Sequence, residues 1–206
     1  MKTIIDTIIF DLGGVLVDWK PEYLYRKVFK NDEDKVQWFL NTVCTPDWNI
    51  IQDGGRTIEE AVKIKIDEFP EYEEWIRLFY EEWHVMFSGP IEDNLKLFKK
   101  LKKSGKYKIY ALTNWSAEKW EKGIELFPFF NDFDGVVVSG QEKTRKPFPK
   151  IYNIIMDRFN ITAKKTIFID DSNANIVASK QLDINGIHFI TTSQLLKDLK
   201  SFNIDC

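Results

Sequence analysis

The sequence predicts an α/β protein: a doubly wound parallel sheet of five core strands that carries an inserted all-helical subdomain. Five short apolar runs predict the strands: Thr7 to Phe10, Lys108 to Thr113, Gly135 to Ser139, Thr166 to Ile169 and Ile187 to Ile190. Each is apolar almost throughout, as strands buried on both faces are. Helical patterns separate most of them, and strands alternating with helices build a parallel sheet covered on both sides. The insert is predicted by length. The stretch 11–107 far exceeds the dozen or so residues that a crossover helix needs, and residues 23–83 repeat helical spacing with aromatic anchors.

Along the chain, the first strand stops at Asp11, followed by Gly13-Gly14. Asp18-Trp19-Lys20-Pro21 lead into the insert and Phe87-Ser88-Gly89-Pro90 lead out; Pro at both places, with Gly at the exit, is expected to form linkers and hinges. Within the insert, Pro46, Gly54-Gly55 and Pro70 divide several helices, and Trp38, Trp48, Trp75 and Trp83 are expected to pack its core. The polar, glycine-bearing run from Trp48 to Arg56 reads as a loop. The second strand closes on Thr113-Asn114, and beyond the third come Glu142-Lys143-Thr144-Arg145-Lys146-Pro147, with Pro149 placed to open a helix. The fourth ends in Asp170-Asp171-Ser172-Asn173, ahead of a helix beginning near Ala174; Gly186 precedes the fifth.

The 206 residues leave room for one large domain with a smaller insert. An apolar share of 44% with 16 Phe and 7 Trp is enough for a sizeable core and excludes a disordered chain. A net charge of −3 offers nucleic acid and anionic membranes no general attraction. Cys44 and Cys206 supply neither a disulfide framework nor a zinc spacing and are read as unpaired thiols. The run after Met1-Lys2 is broken by Asp6 and Asp11, too short and acidic for a signal peptide. No stretch reaches the roughly 18 apolar residues of a membrane span. The expectation is a cytoplasmic protein; its oligomeric state, monomer or weak dimer, is left open.

In a doubly wound sheet, ligands bind beyond the carboxyl ends of the strands. Asp11, Thr113-Asn114 and Asp170-Asp171 all stand there. Converging carboxylates repel one another unless a cation sits among them. With only oxygen ligands and no His or Cys nearby in sequence, Mg²⁺ is the best-matched metal. Lys146 and the Thr113 hydroxyl complete a site able to neutralise a phosphoryl group from several sides, which predicts a small phosphorylated metabolite as substrate.

Four motifs, in order along the whole chain, resemble those of the haloacid dehalogenase superfamily of hydrolases: F-D-L-G-G-V-L-V-D from Phe10, A-L-T-N ending at Asn114, R-K-P at Arg145 to Pro147 and F-I-D-D-S from Phe168. The resemblance implies a Rossmann-like core of residues 1–16 and 89–206 and a helical cap of residues 17–88. It implies that Asp11 is a nucleophile forming an aspartyl-phosphate, that Thr113 and Lys146 grip the phosphoryl oxygens, and that Asp171 binds Mg²⁺ with Asp11 and the Gly13 carbonyl, with Asp170 supporting or sharing that ligation. In capped relatives a loop such as 48–56 sets specificity, which makes Arg56 and Asn49 candidate substrate contacts.

Gly13 departs from the family pattern, because phosphatases of this kind usually carry a second Asp there as general acid and base. Sugar 1-phosphates, whose anomeric oxygen leaves readily, suit a site without it, and members beginning D-L-G-G or D-L-G-N resemble phosphatases of that type. His84 and His188 are the only imidazoles that could stand in. Two alternatives compete. A 2-haloacid dehalogenase tolerates Gly13 but is disfavoured by Asp170-Asp171, and a degenerate member that only binds a phospho-ligand or a protein has no need of Asp11.

Overall fold

The computed structural model describes residues 4–205; residues 1–3, Met1-Lys2 among them, and Cys206 lie outside them. Strand β1 (Thr7–Phe10) is followed by a short β2 (Val17–Trp19). Five helices come next: α1 (Glu22–Val28), α2 (Glu33–Thr42), α3 (Pro46–Asp53), α4 (Ile58–Glu68) and α5 (Glu73–Glu81). Strand β3 (Phe87–Pro90) returns the chain to α6 (Glu92–Ser104), β4 (Lys108–Thr113), α7 (Trp120–Leu126), β5 (Gly135–Val138), a one-turn α8 (Ser139–Glu142) and α9 (Pro149–Phe159). Strand β6 (Thr166–Asp170), α10 (Asn173–Gln181), β7 (Asn185–His188) and α11 (Thr192–Ser201) complete it.

The main sheet has five parallel strands in the order β5-β4-β1-β6-β7, as the apolar runs predict. The chain builds outward from β1 through β4 to β5, then returns to the other side of β1 for β6 and β7. β1 therefore lies at the switch point where a ligand crevice forms. Side chains alternate across it: Ile8 and Phe10 join Phe98 and Leu101 of α6 and Leu195 and Leu199 of α11, whereas Ile9 joins Ile151 and Ile155 of α9 and Ile176 of α10. Both faces are dry, which explains the unbroken apolar runs.

In the insert, Thr45 and Thr57 cap α3 and α4 by accepting from the amides of Trp48 and Glu60, and Asp32 caps α2 from Lys35. Its aromatic packing follows the expectation for Trp48 and Trp83, which are buried, and for Trp75, stacked on Tyr72 at 5.4 Å. Trp38 is more exposed, at 38%. Among the described residues, no helix is long and apolar enough to cross a membrane. Cys44 is a buried free thiol.

Several local readings need correction. The entry and exit segments are not open linkers but an antiparallel ribbon, Val17 opposite Pro90 and Asp18 opposite Gly89, tied by Tyr23 and Ser88 hydroxyls donating to Asp18. The run from Trp48 is not a loop; it is helical through Asp53, because Thr45 and Pro46 start α3 ahead of it. Ser139 leaves β5 to begin α8. β6 runs on to Asp170, and β7 begins at Asn185 and ends at His188 instead of Ile190. Gly186 lies inside β7 because α10 crosses it closely: a Cβ there would come within 2.9 Å of Ile176 Cγ2 and Ser179 Oγ.

Candidate active site

Three adjacent strands deliver the polar groups. The Asp11 amide still bonds the Ile169 carbonyl at 2.8 Å, so β1 aligns the residue before the chain turns away. The turn that follows uses its two glycines differently. Gly14 has φ +73°, and a Cβ on it would collide with the Asp171 carboxylate. Gly13 faces open space, with nothing within 4 Å of where a Cβ would stand. From β4, Thr113 presents a buried hydroxyl with no hydrogen-bond partner among the described residues. From β6, Asp170 is fully buried, and Asp171 follows it.

Lys146 is the hub. Its buried ammonium lies 2.8 Å from Asp11 Oδ2 and 2.7 Å from Asp170 Oδ2. Lys143, by contrast, is exposed. Asn114 grips the Lys146 backbone on both sides of its Cα: Oδ1 accepts from the Lys146 N–H at 2.9 Å and Nδ2 donates to the Lys146 carbonyl at 3.1 Å. Asp170 is held by two further donors, the Ser172 amide at 2.8 Å and Asn175 Nδ2 at 2.9 Å, and Asn175 is fixed in turn by the Tyr152 hydroxyl donating to its carbonyl. Asn175 escapes sequence reading; its only signal is a helical position one turn beyond the paired aspartates.

Oxygens of Asp11, Asp170 and Asp171 lie within 4.8 Å of one another. Burial, reinforced by the charges of Asp170 and Asp171, pushes the Asp11 carboxyl well above its ordinary pKa even against Lys146. Asp171 is raised for the same reasons, burial first and then Asp170. Burial disfavours the Lys146 charge, but Asp11 and Asp170 outweigh it and raise its pKa. Three carboxylates thus face one buried ammonium, and the cluster is two positive charges short of neutrality.

Over these groups lies a cleft of about 460 Å³ between the sheet's carboxyl edge and the insert. Asp11, Asn114, Lys146 and Asp171 form one wall, and Leu40, Asn49, Asp53 and Phe79 belong to the other. A smaller cavity of about 80 Å³ adjoins it beside Gly13, walled by Trp19, Trp83 and Trp115, and Asp53 also lines this one. Asn49, expected at the substrate, lines both, and its Oδ1 accepts from the Tyr80 hydroxyl. Arg56 lines neither: its guanidinium donates to Gln52 Oε1 and the Trp48 carbonyl. His84 is half-exposed near Glu82, and His188 bonds the Asp171 carbonyl at 2.9 Å; both stand outside the cavity walls.

Comparison with known proteins places this architecture. The chain is 26% identical over 197 residues to the phosphorylated carbohydrates phosphatase of Thermotoga maritima, covering 91% of this chain and 86% of that protein. It is 26% identical over 208 residues to the sesquiterpene phosphatase astK of Aspergillus oryzae, covering 97% of each. Its structure is similar to that of the HAD family enzyme bt-2542 of Bacteroides thetaiotaomicron, solved in complex with magnesium and inorganic phosphate, with a TM-score of 0.67, 25% identity and coverage of 93% and 98% of the two chains. Residues 8–189 match the model of the haloacid dehalogenase-like hydrolases, and the chain is a member of that family of enzymes.

Proposed function

We propose that this hydrolase is a Mg²⁺-dependent phosphomonoesterase of the HAD type, acting on a small phosphorylated metabolite through an aspartyl-phosphate at Asp11. The observation that carries the reading is the pairing of Lys146 with Asp11 at 2.8 Å beside two more carboxylates and the unpartnered Thr113 hydroxyl. A carboxylate nucleophile, an ammonium and a free hydroxyl around one point suit a phosphoryl group with charge on three oxygens.

The residues fit a divalent ion. Every donor is a hard oxygen, and the absence of a side chain at Gly14 leaves the Asp171 carboxylate room to enter. Asp11 and Asp171, with the Gly13 carbonyl, would hold Mg²⁺, while Asp170, already bonded by Lys146, Ser172 and Asn175, anchors the site from behind. When bound, Mg²⁺ offsets the carboxylate charge and that of the phosphoryl oxygens. Asp11 attacks phosphorus in line with the ester oxygen, Lys146 and Thr113 hold the phosphoryl oxygens, and water then attacks the acyl phosphate to restore Asp11.

Within this class, sugar 1-phosphates are the substrates we assign first. Their leaving oxygen needs little protonation, and the amides of Gln37, Asn41 and Asn49 along the cleft suit hydroxyl-bearing ligands. The Thermotoga relative, a phosphatase of phosphorylated carbohydrates, supports the same reading. Phosphate release from a panel of phosphorylated sugars and an aryl phosphate should require Mg²⁺, stop with chelator and return on Mg²⁺ addition. Release from none of them, or halide release from a 2-haloacid without metal, contradicts it.

The Gly14→Ala substitution should lower Mg²⁺ affinity by about 10- to 100-fold, the usual cost of disturbing what surrounds a metal ligand. The added methyl occupies the place of the Asp171 carboxylate, and φ +73° strains any L-residue. Titration of activity against Mg²⁺ reads this out; an unchanged half-saturation point contradicts the placement of Asp171.

A further inference from the structure

Position 13 leaves a gap in the proton chemistry. Its Cβ direction opens into empty space, and it borders the small cavity beside the nucleophile. One carboxyl from elsewhere in the chain reaches both this cavity and the cleft over Asp11 and Lys146. It belongs to Asp53, the last residue of α3 in the helical insert. Among the described residues, its side chain makes no hydrogen bond and no ion pair, whereas Asp11 and Asp170 are both bonded.

The insert backbone is built to bring it there. Gly54 ends α3, and Gly55 takes φ +102°. A Cβ on Gly55 would stand 3.1 Å from Lys143 Cγ and 3.4 Å from the Gly140 carbonyl, so at this point the insert lies directly on α8 of the core. The end of α3 is thereby fixed against the segment that carries Lys146.

We infer that Asp53 is the general acid and base that position 13 lacks, supplied across the cleft by the insert. The inference rests on the phosphatase reading and widens it to esters with poor leaving groups. As Asp11 Oδ bonds phosphorus and the ester P–O bond breaks, the Asp53 carboxyl gives its proton to the departing oxygen, and the alcohol leaves. In the second step, water bonds phosphorus and the Asp11–phosphorus bond breaks. The resulting Asp53 carboxylate takes the water proton, which restores both aspartates and frees phosphate.

The surroundings tune the group for both directions. Burial raises its pKa to about 7, against the pull of Arg145 and Lys146. Tyr80 of α5, Lys119 beside the small cavity, exposed Lys143, and Asp11 and Asp171 across the cleft are the other titratable groups around it. A carboxyl that is half-ionised near neutrality is matched to giving and taking a proton there.

The test compares Asp53→Asn with the wild-type protein, Mg²⁺ present, on a simple alkyl phosphate and on 2,4-dinitrophenyl phosphate, whose phenolate departs unprotonated. The ratio of the alkyl to the dinitrophenyl kcat/KM should fall by about 10²- to 10⁴-fold, the usual contribution of general acid-base help. The alkyl profile of the wild type should lose activity as pH rises through about 7, where Asp53 ionises, and the variant should lack that limb. Adding Gly13→Asp to the variant should recover part of the ratio, because the new side chain has open space. An unchanged ratio, or an equal loss on both esters with no recovery, overturns the assignment and leaves the phosphatase reading intact. A wild-type protein inactive on every ester overturns both.

Discussion

Asp11→Asn is expected to abolish phosphate release, by about 10⁴-fold or more, as removal of a covalent nucleophile does. The change is nearly isosteric, so it takes away charge and nucleophilicity and leaves the shape. On the proposed mechanism three functions go together: attack on phosphorus, one ligand of the divalent ion and one of the two ion pairs to Lys146. Stability should move the other way. Asp11 is buried beside Asp170 and Asp171, where an ionised carboxylate is costly, and Lys146 keeps its 2.7 Å contact with Asp170 after the substitution. Thermal unfolding in metal-free buffer should give a Tm at or above that of the wild type, the pattern of a residue kept for function against stability. A drop of several degrees, or activity within tenfold of wild type, contradicts the role given to Asp11.

Lys146→Met is expected to remove activity and to destabilise the fold by about 3–5 kcal/mol, the range for breaking one side of a buried ion pair. The methionine fills the volume, but Asp11 and Asp170 are left without the ammonium that both contact, in a pocket already short of positive charge. Asp170→Asn in the same chain should recover a large part of the stability and none of the activity. Such recovery separates the structural from the catalytic task. Lys143→Ala, at an exposed position, should be mild in both assays. Denaturant unfolding at neutral pH without metal measures the first effect, and phosphate release the second. A Lys146→Met protein as stable as wild type, or a Lys143→Ala protein that is inactive, contradicts the assignment.

Much of this site is legible in the chain before folding because strand ends are where a doubly wound sheet gathers its polar groups. Apolar runs buried on both faces mark β1, β4 and β6, and the residue that ends each run is polar. What sequence does not carry is burial. Lys143, Arg145 and Lys146 look alike in a basic stretch, and only the fold of 139–146 over β1 and β6 buries the last of them. The β2–β3 ribbon is invisible for another reason: a three-residue strand and a four-residue one holding Ser, Gly and Pro have no periodicity to detect. α3 is masked by its polar residues and by the glycines that end it. Asp53 therefore reads as part of a loop, and its place at the cleft depends on how α3 lies on α8. The opposite error befalls Arg56, whose charge suggests a ligand contact while its bonds go to α3 itself.

The central claim is the acyl phosphate at Asp11. Rapid acid quench of the Mg²⁺-loaded protein during turnover of an aryl phosphate, then borohydride reduction and peptide mass mapping, reads it directly, because reduction converts an acyl phosphate to an alcohol and leaves a free carboxylate untouched. The reduced side chain should be found at position 11 in the wild type and nowhere in Asp11→Asn. Phosphate release without reduction at Asp11, or reduction at another carboxylate, contradicts the account.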